Sequence, residues 1–198
     1  MSNRVNATRK TAVITATAMM TALATVIYMF FPEIPLVPGV DYLKIDFSDI
    51  PAIVLSVVAG PLPGFLVEIM KNIIHLMKST TLGVGELINI GVGAAMIYGL
   101  YGFRRLMAHF TKQNGLHPAV YLPAAVLSVG VVVVAGWLLN LVLTPLYFSI
   151  MGLPMSAGLI WGGVIGSTAL NAVKAALNLL PFYPVIYAVD RAVGRLFR

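Results

Sequence analysis

A few side chains able to do chemistry sit inside otherwise apolar runs. Glu68, Lys71 and His75 are three and four positions apart, which puts them on one face of a helix. Asn72 lies beside them, and Glu86 stands near the start of the next apolar segment, within reach of that face. Two compatible readings are open. The group is an internal ion-pair lock between two helices, or it is the polar wall of a ligand cavity. Asn171 and Lys174 share a face of a later segment, with no acidic residue nearby in sequence. A lysine there needs an anion, a carbonyl-rich ligand or a distant carboxylate. Asn140, on the segment before, offers donor and acceptor together, which suits the edge of a heterocycle. Alone it would read as an interhelical hydrogen bond. Three such groups on adjacent helices favour a site. Tyr42, Phe47, Tyr147 and Trp161 fall near segment ends. They form an aromatic belt, or one or two of them stack on a flat ligand.

Other chemistry is missing. There is no cysteine, hence no disulfide, thiolate nucleophile or sulfur-ligated metal. There is no G-x-x-x-x-G-K-[ST] phosphate loop, no H-E-x-x-H and no G-x-S-x-G. Ser167 follows Gly166 without an evident base, and the three histidines are scattered. No catalytic and no metal-ligating residue is assigned.

The elements that position these groups belong to a membrane. Of 198 residues, 59% are hydrophobic and 10% charged, against about 45–50% and about 25% in soluble domains. That excludes most soluble enzymes and nucleic-acid binders, in spite of a net charge of +6. A crossing helix needs roughly 20 apolar residues. Six helices are expected in a single domain over 1–198, at about 11–31, 48–59, 63–78, 84–103, 119–148 and 158–189. The first reads as a span and not as a secretory signal, since no small-residue cleavage site follows it. Segment 32–47, with three prolines, a glycine and four charges, reads as a long loop and a lid candidate. Ser48 or Asp49 is expected to cap the second helix, and Pro51 suits its first turn. That helix is too short to span alone and is tolerable only if protein or a cavity surrounds it. The fold class is therefore an all-α integral membrane protein, a six-helix transmembrane bundle with a long outer loop between helices 1 and 2.

Nine of the thirteen lysines and arginines lie in the N-terminal tail, the 104–118 loop and the C-terminal tail. With six spans these fall on one side, which the positive-inside rule makes the cytoplasm. The chain is then a multi-pass protein of the cell membrane with both termini cytoplasmic. Small residues recur on the first helix, including Ala18 and Ala22 one turn apart. Such a face lets another helix approach closely, either within the bundle or on a partner subunit.

The segment Tyr42-Leu43-Lys44-Ile45-Asp46-Phe47-Ser48-Asp49-Ile50-Pro51-Ala52, then Gly60-Pro61, Glu68 with Lys71-Asn72-Ile73-Ile74-His75, and Gly83-Val84-Gly85-Glu86-Leu87, resembles the substrate-binding (S) components of energy-coupling factor (ECF) vitamin transporters. Among these it is most similar to the riboflavin-specific ones. The Asn171–Asn178 stretch resembles that family's last helix. The resemblance implies a six-helix bundle whose long first loop caps an outward-facing vitamin pocket. It implies ligand contacts from Asn140, Asn171 and Lys174 and from the matched middle motifs: Tyr42, Leu43, Asp46, Glu68, Lys71, Asn72, His75 and Glu86. It implies docking of Ala18 and Ala22 on a membrane-embedded T subunit, with two cytoplasmic ATPases supplying the absent phosphate loop. Riboflavin is then transported cargo, and the flavin is no redox cofactor. Loop 32–47 closes over it, and the loaded bundle tilts to release it inwards. Competing readings are an S component for pantothenate or a pyridoxine-like compound, an intramembrane enzyme using Glu68, His75 or Lys174, and a membrane scaffold without a ligand.

Overall fold

The structure, a computed structural model, describes residues 2–31, 34–35 and 44–197. Tyr42, Leu43 and most of the expected outer loop lie outside the described residues. Among the described residues seven α-helices carry the fold: α1 (Ser2–Phe30), α2 (Ile50–Ala59), α3 (Pro61–His75), α4 (Val84–Thr111), α5 (Pro118–Ile150), α6 (Ala157–Leu179) and α7 (Tyr183–Val193). Between α1 and α2 a two-residue antiparallel ladder joins β1 (Ile34–Pro35) to β2 (Lys44–Ile45), pairing Ile34 with Ile45.

α1, α4 and α5 are each long and apolar enough to cross a membrane, and α6 with α7 qualifies as a fourth, bent span. The expected helix 158–189 is corrected here. It is two helices, bent by 45° at a short break. Pro181 cannot donate the backbone bond that would continue α6, and Pro184 suits the first turn of a new helix. Tyr121 on α5 donates its hydroxyl to the carbonyl of Leu179 at 3.0 Å, satisfying a backbone group at the break. A second correction concerns α4. It runs to Thr111 and closes on Lys112 in the left-handed conformation, so Arg104 and Arg105 lie within the helix. Charged residues end the apolar stretch without ending the hydrogen-bond ladder.

α2 is the central post. Ile53, Val54 and Val58 pack with Val92, Met96, Tyr121 and Ala124 of α4 and α5. Ala52 and Leu55 pack with Ala24 of α1, Val67 of α3 and Ile97 of α4. Protein surrounds this ten-residue helix on nearly every side. Two glycines allow the closest approaches. A Cβ at Gly64 would meet Ala52 O and Ser56 Cβ at 2.5 Å, so α2 and α3 pack backbone against backbone. A Cβ at Gly93 of α4 would meet Glu68 Cγ and Cδ at 2.5 Å, so the space for that carboxylate is made by a missing side chain.

Candidate functional site

Segment 46–49 brings two carboxylates into the bundle. Asp49 stands at the N-cap position of α2, yet its side chain caps nothing. It is 1% exposed and pairs with Lys71 of α3; its Oδ2 lies 3.0 Å from Lys174 Nζ on α6 and accepts from Asn178 Nδ2 at 3.2 Å. The expected capping role is thus replaced by charge compensation. Leaving two buried ammonium groups short of an anion would cost more than a cap returns. Ser48 is no cap either. It accepts from Lys71 Nζ at 2.9 Å, and its hydroxyl donates to Asp46.

Lys71 is fully buried between Asp49 and Glu68, with Glu68 Oε2 at 3.1 Å. Asn72 Nδ2 donates to Glu68 Oε1 at 2.9 Å, and Asn72 Oδ1 accepts from Asn89 Nδ2 at 3.0 Å. Asn89 Oδ1 in turn accepts from Lys174 Nζ at 2.6 Å, and Lys174 also donates to Asp46 Oδ2 at 2.9 Å. One continuous polar network therefore ties segment 46–49 to α3, α4 and α6. Burial works to raise the Asp46 carboxyl. The ammonium groups of Lys174 and Lys71 and hydrogen bonds from Lys174 and Ser48 outweigh it, holding the group well below the usual carboxylate range.

Beside this network lies a cavity of about 270 Å³. Asp46, His75, Glu86, Asn140, Asn171 and Lys174 line it. Glu68, Lys71 and Asn72 do not; they form its buried support. Tyr42 and Leu43 lie outside the described residues. His75 Nδ1 faces Glu86 Oε1 at 2.8 Å, and Glu86 Oε2 accepts from Ser79 at 2.9 Å and Thr81 at 3.2 Å. The helix-face group thus divides: Glu68 and Lys71 lock the interior, while His75 and Glu86 join α3 to α4 at the cavity wall. Asn140 Nδ2 donates to Gly136 O at 2.7 Å, and its Oδ1 accepts from Thr144 at 3.3 Å. Asn171 is 7% exposed, and its Nδ2 has no partner among the described residues. A buried donor without an acceptor is costly and marks a place where an acceptor belongs.

Sequence reading missed Tyr28 and Asn89, which also line the cavity, and weighed Ser167, another lining residue, only as a nucleophile. The Tyr28 ring stacks on His75 at 3.7 Å and 10°. Asn89 lies three residues after Glu86, so a helix-face search extended by one turn finds it. A tyrosine inside the first span carries no comparable spacing signal. The expected aromatics divide as well: Tyr147 lines an adjoining smaller cavity, and Trp161 is half exposed.

Residues 12–186 match the profile of the family described as ECF transporter, substrate-specific component. The chain belongs to that family, whose members are transport components and not enzymes. Among individual relatives it is similar to riboflavin transporter FmnP of Bacillus subtilis (strain 168), 32% identical over 119 residues, which is 57% of this chain and 58% of that protein. Riboflavin transporter RibU of Staphylococcus aureus (strain TCH60) is 27% identical over 171 residues, 84% of this chain and 85% of that one. A solved S component of a bacterial ECF transporter shares the fold, with TM-score 0.68 and 23% identity over 96% of this chain and 99% of that chain.

Proposed function

We propose that this chain is the riboflavin-binding S component of an ECF-type uptake transporter. Family membership and the two riboflavin-transporter relatives support the vitamin. The observation that carries the reading is the Asn171 amide nitrogen, without a partner among the described residues, on a cavity shared with Asn140 and Lys174. The pyrimidine edge of a flavin is rich in carbonyl acceptors and also carries an N–H. Amides and an ammonium match it, and none of them is a nucleophile or base poised for turnover.

Lys174 already donates to Asp46 and Asn89 and forms an ion pair with Asp49. A ligand carbonyl can take one of these places by exchange. Asp46 is the partner that belongs to the loop, so capture and closure of segment 32–47 are linked at this contact. Glu68, Lys71 and Asn72 hold Asp49 and Asn89 in position behind it. Tyr42 and Leu43 are assigned to the ligand by the resemblance alone.

Six crossings with both termini cytoplasmic complete the reading. The burial of α2 inside the bundle supports a short crossing at that point, and the distribution of basic residues supports the orientation. Ala18 and Ala22 dock on the T subunit, two ATPases power the complex, and the loaded bundle tilts to release its cargo. The vitamin reading is tested by growing expressing cells with riboflavin and analysing the denatured, detergent-purified protein. Co-purified riboflavin near one equivalent is expected from the native chain and a strongly reduced amount from Asn171→Ala. A native protein carrying another vitamin would overturn it. Topology is tested with single cysteines, since the chain has none. An engineered cysteine at residue 41 should react with an impermeant thiol reagent from outside and one at residue 113 from inside.

A further inference from the structure

A smaller cavity of about 70 Å³, an annex, adjoins the main one. The two share Asn140, Ser167 and Gly85 in their walls. Beyond that shared wall the character changes: Val84, Leu143, Tyr147 and Phe148 line the annex. Its width depends on a missing side chain. A Cβ at Gly163 of α6 would stand 2.9 Å from Thr144 Cγ2 and 3.7 Å from Phe148 Cε2. Thr144 cannot easily swing aside, because it is β-branched and its hydroxyl is held toward Asn140 Oδ1. The annex is open because residue 163 has no side chain.

We propose that Gly163 is a specificity-determining residue. It keeps open an apolar slot, with Asn140 in the shared wall, that takes the alkyl-substituted edge of a flat heterocycle, away from the edge met by Asn171 and Lys174. This rests on the riboflavin reading above. The slot favours compact alkyl groups over hydrogen, which would leave it part empty. It disfavours polar substituents, which would lose water there without a replacement partner. One methylene in an apolar pocket discriminates by about 10–200-fold.

The test is a pair of titrations on detergent-purified protein, with riboflavin and with its analogue lacking both ring methyl groups. The native chain is expected to prefer riboflavin by about tenfold or more. Gly163→Ala should lose that preference while still binding the demethylated analogue, which also shows that it has folded. Adding Thr144→Ser, which removes the opposing methyl and keeps the hydroxyl, should restore it. Thr144→Ser alone leaves α6 untouched and should improve binding of an analogue with ethyl in place of one ring methyl. An unchanged preference in Gly163→Ala, or no gain for the ethyl analogue in Thr144→Ser, would overturn the role of Gly163 while leaving the riboflavin reading intact. Failure of the native chain to bind riboflavin at all would overturn both.

Discussion

Lys71 sits fully buried between Asp49 and Glu68, and its removal leaves two carboxylates without their common cation. Lys71→Met is expected to destabilise the protein by about 3–5 kcal/mol. Lys78→Met, at an exposed side chain that donates to Met29 O at 3.0 Å, should cost less than about 1 kcal/mol. Thermal unfolding in one detergent compares the two, and equal losses would contradict the network. Asp46 adds a pH dependence. A carboxyl held low in the folded state contributes stability that is present above its unfolded value, about pH 3.9, and is lost as pH falls through the folded value. Asp46→Asn should therefore be less stable than the native chain at pH 7. It should also lose less stability on acidification below about pH 4. Parallel melting curves for the two proteins across that range would contradict the assignment. The need of Lys174 for a counter-charge was legible from its place in an apolar run. Its partner was not, because Asp46 lies 128 residues away in the chain and only the fold brings them together. Asp49 was misread as a cap because its position before Pro51 satisfies the local rule; burial beside two lysines overrode it.

The stripes of α1 separate at the next scale. Ala24 is buried against α2 and α3, while Ala18 and Ala22 are exposed beside the larger Met19 and Leu23. Spacing alone left internal packing and external docking equally open, since both use small residues. The exposed position supports docking. Ala18→Trp with Ala22→Trp is expected to leave thermal stability and riboflavin affinity unchanged and to abolish co-purification with the T subunit and uptake. A double mutant that assembles and transports at the native rate would contradict the docking face. If unfolding temperature and affinity fell instead, the stripe would be internal, where overpacking costs about 1–3 kcal/mol per site. The break between α6 and α7 was present in the sequence as Pro181-Phe182-Tyr183-Pro184, but hydropathy runs through it unbroken. The same measure stops α4 early, because Arg104 and Arg105 are polar and still good helix formers. Hydropathy reads where a segment meets lipid, and backbone hydrogen bonding decides where a helix ends.

At the scale of the whole molecule, helicity and membrane character follow from composition, because a chain this apolar must satisfy its backbone within each segment. The site is only half legible on those terms. Asn140, Asn171 and Lys174 stood out because polar groups are rare inside apolar helices. The annex did not, because it is made by a glycine and by apolar side chains that look like any core. The proposed site centres on a cavity lined by Asn140, Asn171 and Lys174. Its most direct test is a fluorescence-quenching titration of riboflavin into protein purified from riboflavin-free cells, for the native chain, Asn171→Ala and Lys174→Ala. Loss of one charge-assisted hydrogen bond is worth about 1.5–3 kcal/mol. The native chain should show saturable one-to-one quenching, with Lys174→Ala weakened roughly tenfold to a hundredfold and Asn171→Ala weakened in the same direction. Absence of saturable quenching in the native chain, or equal affinity in all three proteins, would contradict it.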